Sequence, residues 1–500
     1  MKAAAVFSDN MVLQRWENVR IFGTCNNDEV IRVTIPELEI DVSAAVANCR
    51  WEAVIPPMNT CNECTVIISS QESKIIFSNV AVGEVWLAGG QSNMEFELRN
   101  ALGFENAVTN CHLLKTRFYN VPKCEMADEH LLDAESKSCW QLPTEESMKG
   151  WSAVAFYFAR ALSLRLDVTV GIINCNWGGT SASAWMDRSY LEADSRLRPY
   201  LDDYDSACAG KTRQEMLAEY DEYTAYHAEW EKRMQRCYCE NPAIKWNEVL
   251  EICGENRYPG PMGCKNFNRP CGLYETMIKR VCPYTIKGFI YYQGESDDHR
   301  PDSYYYLMRG LIENWRRDWR NSELPFVFVQ LPMFKYEDDP DTKSWAKLRE
   351  AQMQIFKTVK NTGIAIALDC GEFNNIHPTE KSRIGYRLYL QALCHAYGHH
   401  CEDKAYPPMF RRCRPLGEGL ELDFDDCEGF RVRDQLSGFE IAGADGEFKP
   451  AEAEIREDKI FVSSACVKLP RKVRYLWTNY SEVPLYGKNG IPVPPFVGEV

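Results

Sequence analysis

The chain has 500 residues, with 72 acidic against 57 basic side chains and a net charge of −15. That charge excludes nucleic acid and anionic membrane as partners resting on global charge. At 45% apolar and 26% charged residues, the composition is that of a globular protein too long for one core, so two or three domains are expected. A small monoanionic sugar remains open as a partner, because one local arginine outweighs the global field. Thirteen Trp and 25 Tyr suit a carbohydrate binder as well as they suit large cores. No run of about 18 apolar residues exists, so no membrane-crossing helix is expected. The opening MKAAAVFSDNMVLQR lacks an apolar signal core. A cytoplasmic location is therefore expected, and a secreted one only if a signal has been removed. The 21 cysteines are odd in number and scattered, which reads as reduced thiols. Cys61 and Cys64 form a CxxC, and Cys237, Cys239, Cys253, Cys264 and Cys271 lie close in sequence. No second CxxC or paired His completes a zinc set, so no metal is expected, and a metal at the 237–271 cluster stays open.

In chain order, residues 1–80 show short alternating apolar runs (Val19–Phe22, Val30–Ile35, Thr65–Ile68, Lys74–Phe77) broken by Asn, Asp and Pro turns, the pattern of a β-sandwich. From Val82 the pattern changes. Glu84–Ala88, Val168–Asn174, Gly288–Tyr292, Pro325–Leu331 and Gly363–Asp369 are short apolar strands, alternating with helices predicted at Ser152–Leu166, Tyr304–Trp319 and Ala346–Val359. Strands apolar on both faces and alternating with helices imply an α/β sandwich around a parallel sheet, over residues 81–404. Residues 195–274 interrupt it. Their first part, Lys211–Met234, is charged and helical; their second is rich in Cys, Gly, Pro and Asn and reads as loop. The segment is expected to leave the core as a flap over the sheet edge. Residues 405–500 turn β again (Leu420–Phe424, Phe439–Ile441, Lys459–Val462, Val473–Trp477), a second β-sandwich.

Ligands of open α/β sheets sit at the carboxyl ends of the strands. The loops there carry Gly90-Gln91-Ser92-Asn93-Met94, Trp177-Gly178-Gly179-Thr180, Gln293-Gly294-Glu295-Ser296-Asp297 and Asn374-Asn375-Ile376-His377-Pro378. Ser92 follows a Gly-Gly-Gln turn that can present its hydroxyl, and a serine nucleophile needs a base. His377 is the histidine in the loop after the last sheet strand. The plain alternatives are a helix N-cap for Ser92 and a surface histidine for His377. An acyl-transfer oxyanion needs fixed donors, for which the amides of Ser92 and Gly179 and the side-chain NH2 of Gln293 are candidates. No HExxH, P-loop or dinucleotide fingerprint is present, and no cofactor is expected.

The segments Phe7–Arg15 (FSDNMVLQR), Val82–Glu95 (VGEVWLAGGQSNME), Asn176–Thr180 (NWGGT), Tyr292–Ser296 (YQGES) and Ile376–Pro378 (IHP) resemble the sialate O-acetylesterase family, a branch of the SGNH (GDSL-like) hydrolases close to the GQS/QGE acetylxylan esterases. The resemblance runs from about residue 6 to the closing Pro492–Phe496. It implies an SGNH-hydrolase three-layer α/β/α sandwich flanked by β-sandwiches. It also implies Ser92 as nucleophile, His377 as base, and Ser92, Gly179 and Gln293 as oxyanion donors. Many SGNH enzymes place Asp three residues before the His; Asn374 stands there instead and cannot carry the charge that steadies an imidazolium. Glu295 is the first choice for that acid, with Asp369, Glu372 or a main-chain carbonyl as alternatives. The implied activity is a serine esterase that hydrolyses O-acetyl groups from a sugar, O-acetylated sialic acid first and an acetylated plant glycan such as xylan second. A catalytically inactive carbohydrate-binding protein and a general carboxylesterase are the readings from other classes. Arg99, Arg188 and Arg300 are the sequence candidates for a sugar carboxylate. Oligomeric state is not legible in the sequence.

Overall fold

The computed structural model describes residues 1–27, 29–241, 244–399 and 405–500. Its frame is a mixed α/β body built on one large sheet, with further β-sheets at both ends of the chain. Six parallel strands form the centre: β1 (Lys74–Gly90), β2 (Thr116–Asn120), β3 (Val170–Asn176), β4 (Gly288–Tyr292), β5 (Phe326–Gln330) and β6 (Thr362–Ile366). They lie in the order β2-β3-β1-β4-β5-β6, with Trp140–Gln141 added antiparallel at the β2 edge. The helices of this body include the short α1 (Ser92–Glu95), then α2 (Ala153–Leu166), α3 (Arg213–Glu240), α4 (Tyr304–Asp318), α5 (Ser344–Thr358) and α6 (Ser382–Tyr397). Trp86 of β1 packs on Phe158 of α2, and α6 lies beside α2. Three residues on, Gly89 faces the Trp315 ring of α4, which pairs with α5. Residues 86 and 89 point to opposite faces of a strand, so the sheet carries helices on both faces.

The boundary expected at residue 80 falls inside a single strand. β1 runs unbroken from Lys74 to Gly90, alternating exposed and part-buried up to Asn79 and wholly buried from Val80 on. Its first half pairs antiparallel with Cys61–Ser69, and its second half sits between β3 and β4. The sequence changes from alternating to continuous apolar there because one face of the strand is wet in the first half and both are covered in the second. Val12–Gln14 lies parallel to Ala81–Gly83 at this junction. Gln14 accepts from the Val85 amide and donates to Glu84, and Arg15 donates to the other Glu84 oxygen at 2.6 Å. Glu84 is fully buried, so the FSDNMVLQR segment neutralises a charge at the root of the central strand.

Among residues 195–274, α3 extends to Glu240, past the expected Met234, and a further helix, Trp246–Cys253, stands where loop was expected. Both follow from a small separate apolar cluster of Trp230, Cys237, Val249 and Cys253. The chain after it meets the Trp177–Thr180 loop, with Phe267 stacked on Trp177 and Tyr258 against Gly179. The C-terminal strands form two four-stranded antiparallel sheets and a two-stranded one, and the last predicted run, Val473–Trp477, ends as strand at Tyr475. Fully buried Arg349 of α5 donates to the carbonyls of Pro332 and Thr478, joining this region to the sheet body. Each of the 20 described cysteines is a free thiol, and the described residues contain no cluster of His, Cys, Asp or Glu that could hold a metal. No helix among the described residues is long and apolar enough to cross a membrane.

Removing Arg15 leaves Glu84 buried without its cation, which costs about 3–5 kcal/mol. Arg15→Met should lower the unfolding free energy by that amount, read as a lower urea midpoint at an unchanged slope. An unchanged midpoint would mean that the junction does not depend on the pair.

Candidate active site

The four motif loops meet at the carboxyl ends of β1, β3, β4 and β6. Ser92 opens α1 immediately after β1. Buried Gln91 holds that turn: its amide donates to the Tyr292 carbonyl, and its side-chain oxygen accepts from the Ser296 amide at 3.1 Å. Ser92 Oγ lies 2.8 Å from His377 Nε2, with both residues part-exposed. The structure thus brings together the serine and the histidine that the sequence singled out.

The amides of Ser92 and Gly179 donate to no acceptor among the described residues. Gly178 lies so close to the serine that a Cβ on it would stand 3.2 Å from Ser92 Cβ. Gly179 has φ +70°, left-handed backbone that favours glycine. Gln293 does not join them. Its side-chain NH2 is buried and donates to the Thr180 carbonyl at 3.1 Å and to Asp297 at 2.6 Å, while its oxygen accepts from Tyr304. With both N–H groups engaged, Gln293 is a brace beneath the Trp177–Ser181 loop and not a free oxyanion donor. Asp297, wholly buried, is the acceptor at the centre of that brace; it also takes the Ser181 hydroxyl and the Ala182 amide.

The carboxylate expected on the histidine ring is absent from it. Glu295 accepts from Asn93 Nδ2 at 2.7 Å and makes no direct contact with His377. Its second oxygen is buried with no hydrogen-bond partner. The alternatives are engaged elsewhere: Asp369 is held by Arg387 and Arg383, and Glu372 accepts from Asn375 and the Thr379 amide. The misreading has a physical cause. On an extended segment Gln293 and Glu295 would share one side, but the chain leaves β4 at Tyr292 and coils into a 3₁₀ turn at Glu295–Asp297. His377 Nδ1 has no hydrogen-bond partner among the described residues. Asn374, in the usual place of the acid, takes φ +61° and accepts from the Glu337 amide.

The residue that joins the parts is Asn93, beside the serine. Its Nδ2 donates to Glu295 and, at 2.9 Å, to the carbonyl of Ile376, the residue before His377. Its Oδ1 accepts from Lys381 Nζ at 2.6 Å. Burial pushes Lys381 down to about 7 against the attraction of Glu295, and burial holds Glu295 above the ordinary carboxylate range. Burial first, and the Lys381 charge second, hold His377 below its ordinary value, with Glu95 pulling the other way. Glu95 accepts from the Gly178 amide and pairs with Lys123, so α1 and the Gly178-Gly179 loop are tied as well. Asn93 and Glu95 stand inside the quoted motif and Lys381 four residues past the histidine, yet residue type alone gave none of them a role. Arg99, Arg188 and Arg300 are each paired with a carboxylate, Glu97, Glu192 and Asp203.

The profile described as "Carbohydrate esterase, sialic acid-specific acetylesterase" matches residues 260–393. The sialate O-acetylesterase of Mus musculus is 25% identical, covering 99% of this chain and 94% of the relative; that of Homo sapiens is 25% identical over 99% and 92%. The crystal structure of a carbohydrate acetylesterase from Xanthomonas citri superposes with a TM-score of 0.79 at 27% identity, covering 100% of this chain and 99% of the other.

Two outcomes follow from the geometry. Asn93→Ala should lower kcat on p-nitrophenyl acetate about 100-fold with little change in KM, the scale of losing near-attack alignment; full kcat would show the histidine loop to be held by other means. In pH profiles, His377 must be neutral to take the serine proton, so a lowered pKa puts the acid limb of kcat/KM below about 6.5. Over that range Lys381 is charged. Lys381→Met, removing a cation, should move the limb up, and Glu95→Gln, removing an anion, should move it down. Shifts of the same sign in both would contradict this electrostatic account.

Proposed function

We propose, from this whole-length similarity to sialate O-acetylesterases and to a carbohydrate acetylesterase structure, that the chain removes O-acetyl groups from carbohydrate by covalent catalysis at Ser92, with O-acetylated sialic acid as the first substrate class. The observation that carries the reading is the 2.8 Å contact of Ser92 Oγ with His377 Nε2 beside two unspent amides, Ser92 and Gly179. In this reading Ser92 Oγ attacks the acetyl carbonyl carbon as its proton passes to His377 Nε2. The carbonyl electron pair moves onto oxygen, toward the two amides. Collapse breaks the bond to the sugar oxygen, which takes the proton back from the imidazolium. Water then attacks the acetyl-serine through the same base, releasing acetate and restoring Ser92. The helices on both faces of the parallel sheet are consistent with an SGNH-type three-layer sandwich, and the sheets at either end with flanking β-sandwiches.

The sialate preference rests on the relatives and on the matched profile, since the three arginines offered by the sequence are already paired. An acetylated plant glycan therefore remains the second substrate class. A sugar-binding protein without catalysis is the reading favoured by one specific observation, the histidine Nδ1 without a carboxylate. Acetate release from a panel of O-acetylated sialic acids and acetylated xylo-oligosaccharides separates the three. The proposed function predicts release by the wild-type chain, fastest from sialic acids, and a loss on the order of a million-fold in Ser92→Ala. Equal release by wild type and Ser92→Ala would remove Ser92 from the chemistry, and saccharide binding with no release would leave only the binding reading.

A further inference from the structure

Gln293 is committed to Thr180 and Asp297, which leaves the oxyanion site with two amide donors. We propose that Tyr258, brought over the site by the segment inserted between β3 and β4, is a catalytic residue whose phenolic hydroxyl donates the third hydrogen bond to the oxyanion. The proposal rests on the acetylesterase reading and names one more of that site's groups.

The geometry is specific. Tyr258 Oη lies 1.8 Å from the point where a Cβ on Gly179 would stand, and its Cζ lies 3.0 Å from it. The hydroxyl therefore fills the space that the missing side chain of Gly179 leaves open, next to the residue whose amide is free. On the other side of Gly179, Gly178 abuts Ser92, so serine, glycine pair and tyrosine form one continuous wall. Tyr258 Oη has no hydrogen-bond partner among the described residues, so its O–H is not committed elsewhere. The residue is 46% exposed overall, yet its hydroxyl end points inward against Gly179.

The hydroxyl is also held in place, which a useful donor requires. Phe267 stacks on Trp177 of the same loop as Gly179, centroids 5.4 Å apart and planes 8° from parallel, and Tyr258 packs on Phe267 at 5.9 Å. His227 of α3 flanks the ring at 6.1 Å, and the Tyr258 amide donates to Asn256. The inserted segment is thus joined to the oxyanion loop through aromatic contacts. Burial, with Tyr223 and then Glu95 as lesser causes, pushes the phenol up to about 12, so it stays protonated and able to donate at neutral pH.

The test is steady-state kinetics of the full chain on p-nitrophenyl acetate and p-nitrophenyl butyrate, comparing wild type, Tyr258→Phe and Tyr258→Ala. Loss of one oxyanion donor costs about 10²–10³-fold in kcat. Tyr258→Phe, which keeps the ring and its packing, is expected to lose about 100-fold in kcat on both esters with KM nearly unchanged. Tyr258→Phe at the wild-type rate overturns the proposal. The same holds if Tyr258→Phe is unchanged while Tyr258→Ala gains on butyrate relative to acetate, which would make the residue a steric wall only. If Tyr258→Ala does not fold, the phenylalanine variant decides alone. A wild-type chain that hydrolyses neither ester overturns the esterase reading together with this one, whereas an active wild type with an unaffected Tyr258→Phe overturns this one only.

Discussion

The site depends on what Asn93 holds together. Serine and histidine come from loops 285 residues apart, and a 2.8 Å contact between them survives only if both loops share a rigid frame. One amide side chain provides it. Asn93 is fixed to Ser92 by the chain itself, donates to the carbonyl before the histidine, donates to the β4 loop through Glu295, and accepts from Lys381 of the segment leading into α6. An amide can do this because it offers two donors and an acceptor from one planar group. Two of its partners, Glu295 and Lys381, are buried, where a hydrogen bond is strong and an unmade one costly. The same arrangement explains why a carboxylate and an ammonium are tolerated in the interior. Glu295 and Lys381 are not a bare ion pair; they face each other across a neutral amide that satisfies one atom of each.

Around this bridge the rest of the molecule works as buttress. Asp297 and Gln293 fix the Trp177–Ala182 loop from below. The first β region enters through strand β1 itself, so its stability is transmitted directly to the turn that presents Ser92, and Arg15 neutralises Glu84 at that root. The C-terminal region supports the other half of the pair. Phe373, four residues before His377, packs on Tyr480 at 5.1 Å, and the buried Arg349 guanidinium joins α5 to the carbonyl of Thr478. The inserted segment closes the remaining side through Trp177, Phe267 and Tyr258.

The architecture was largely legible because it is written in periodicity. Gly288–Tyr292 is a strand with the bounds the apolar run predicts, and Ser152 caps the helix it was expected to open. Ser92, His377 and the Gly178-Gly179 turn were legible because glycines after a strand and a lone histidine in the last loop mark positions where backbone and hydroxyl must be exposed. What was hidden depends on tertiary direction. Nothing in QGES states that the chain coils after Tyr292, which turns Gln293 and Glu295 inward onto Asp297 and Asn93. Tyr258 lies in an irregular stretch with no period to read, and its place over Gly179 is set by ring packing with Phe267 and Trp177. The helix at Trp246–Cys253 was hidden for a related reason: its apolar face meets the end of α3, in a cluster apart from the main core.

The arrangement is a serine–histidine pair with no carboxylate on Nδ1, in which orientation comes from the backbone of the histidine loop and charge from the more distant Glu95 and Lys381. Its central claim is that this pair, so braced, acylates. The direct measurement is mass spectrometry of acid-quenched enzyme during turnover of an acetyl ester, with peptide mapping. The account predicts an acetyl increment on the peptide containing Ser92, present in the wild-type chain and absent from Ser92→Ala. An acetyl group mapped to another side chain, or turnover by Ser92→Ala at the wild-type rate, would contradict it.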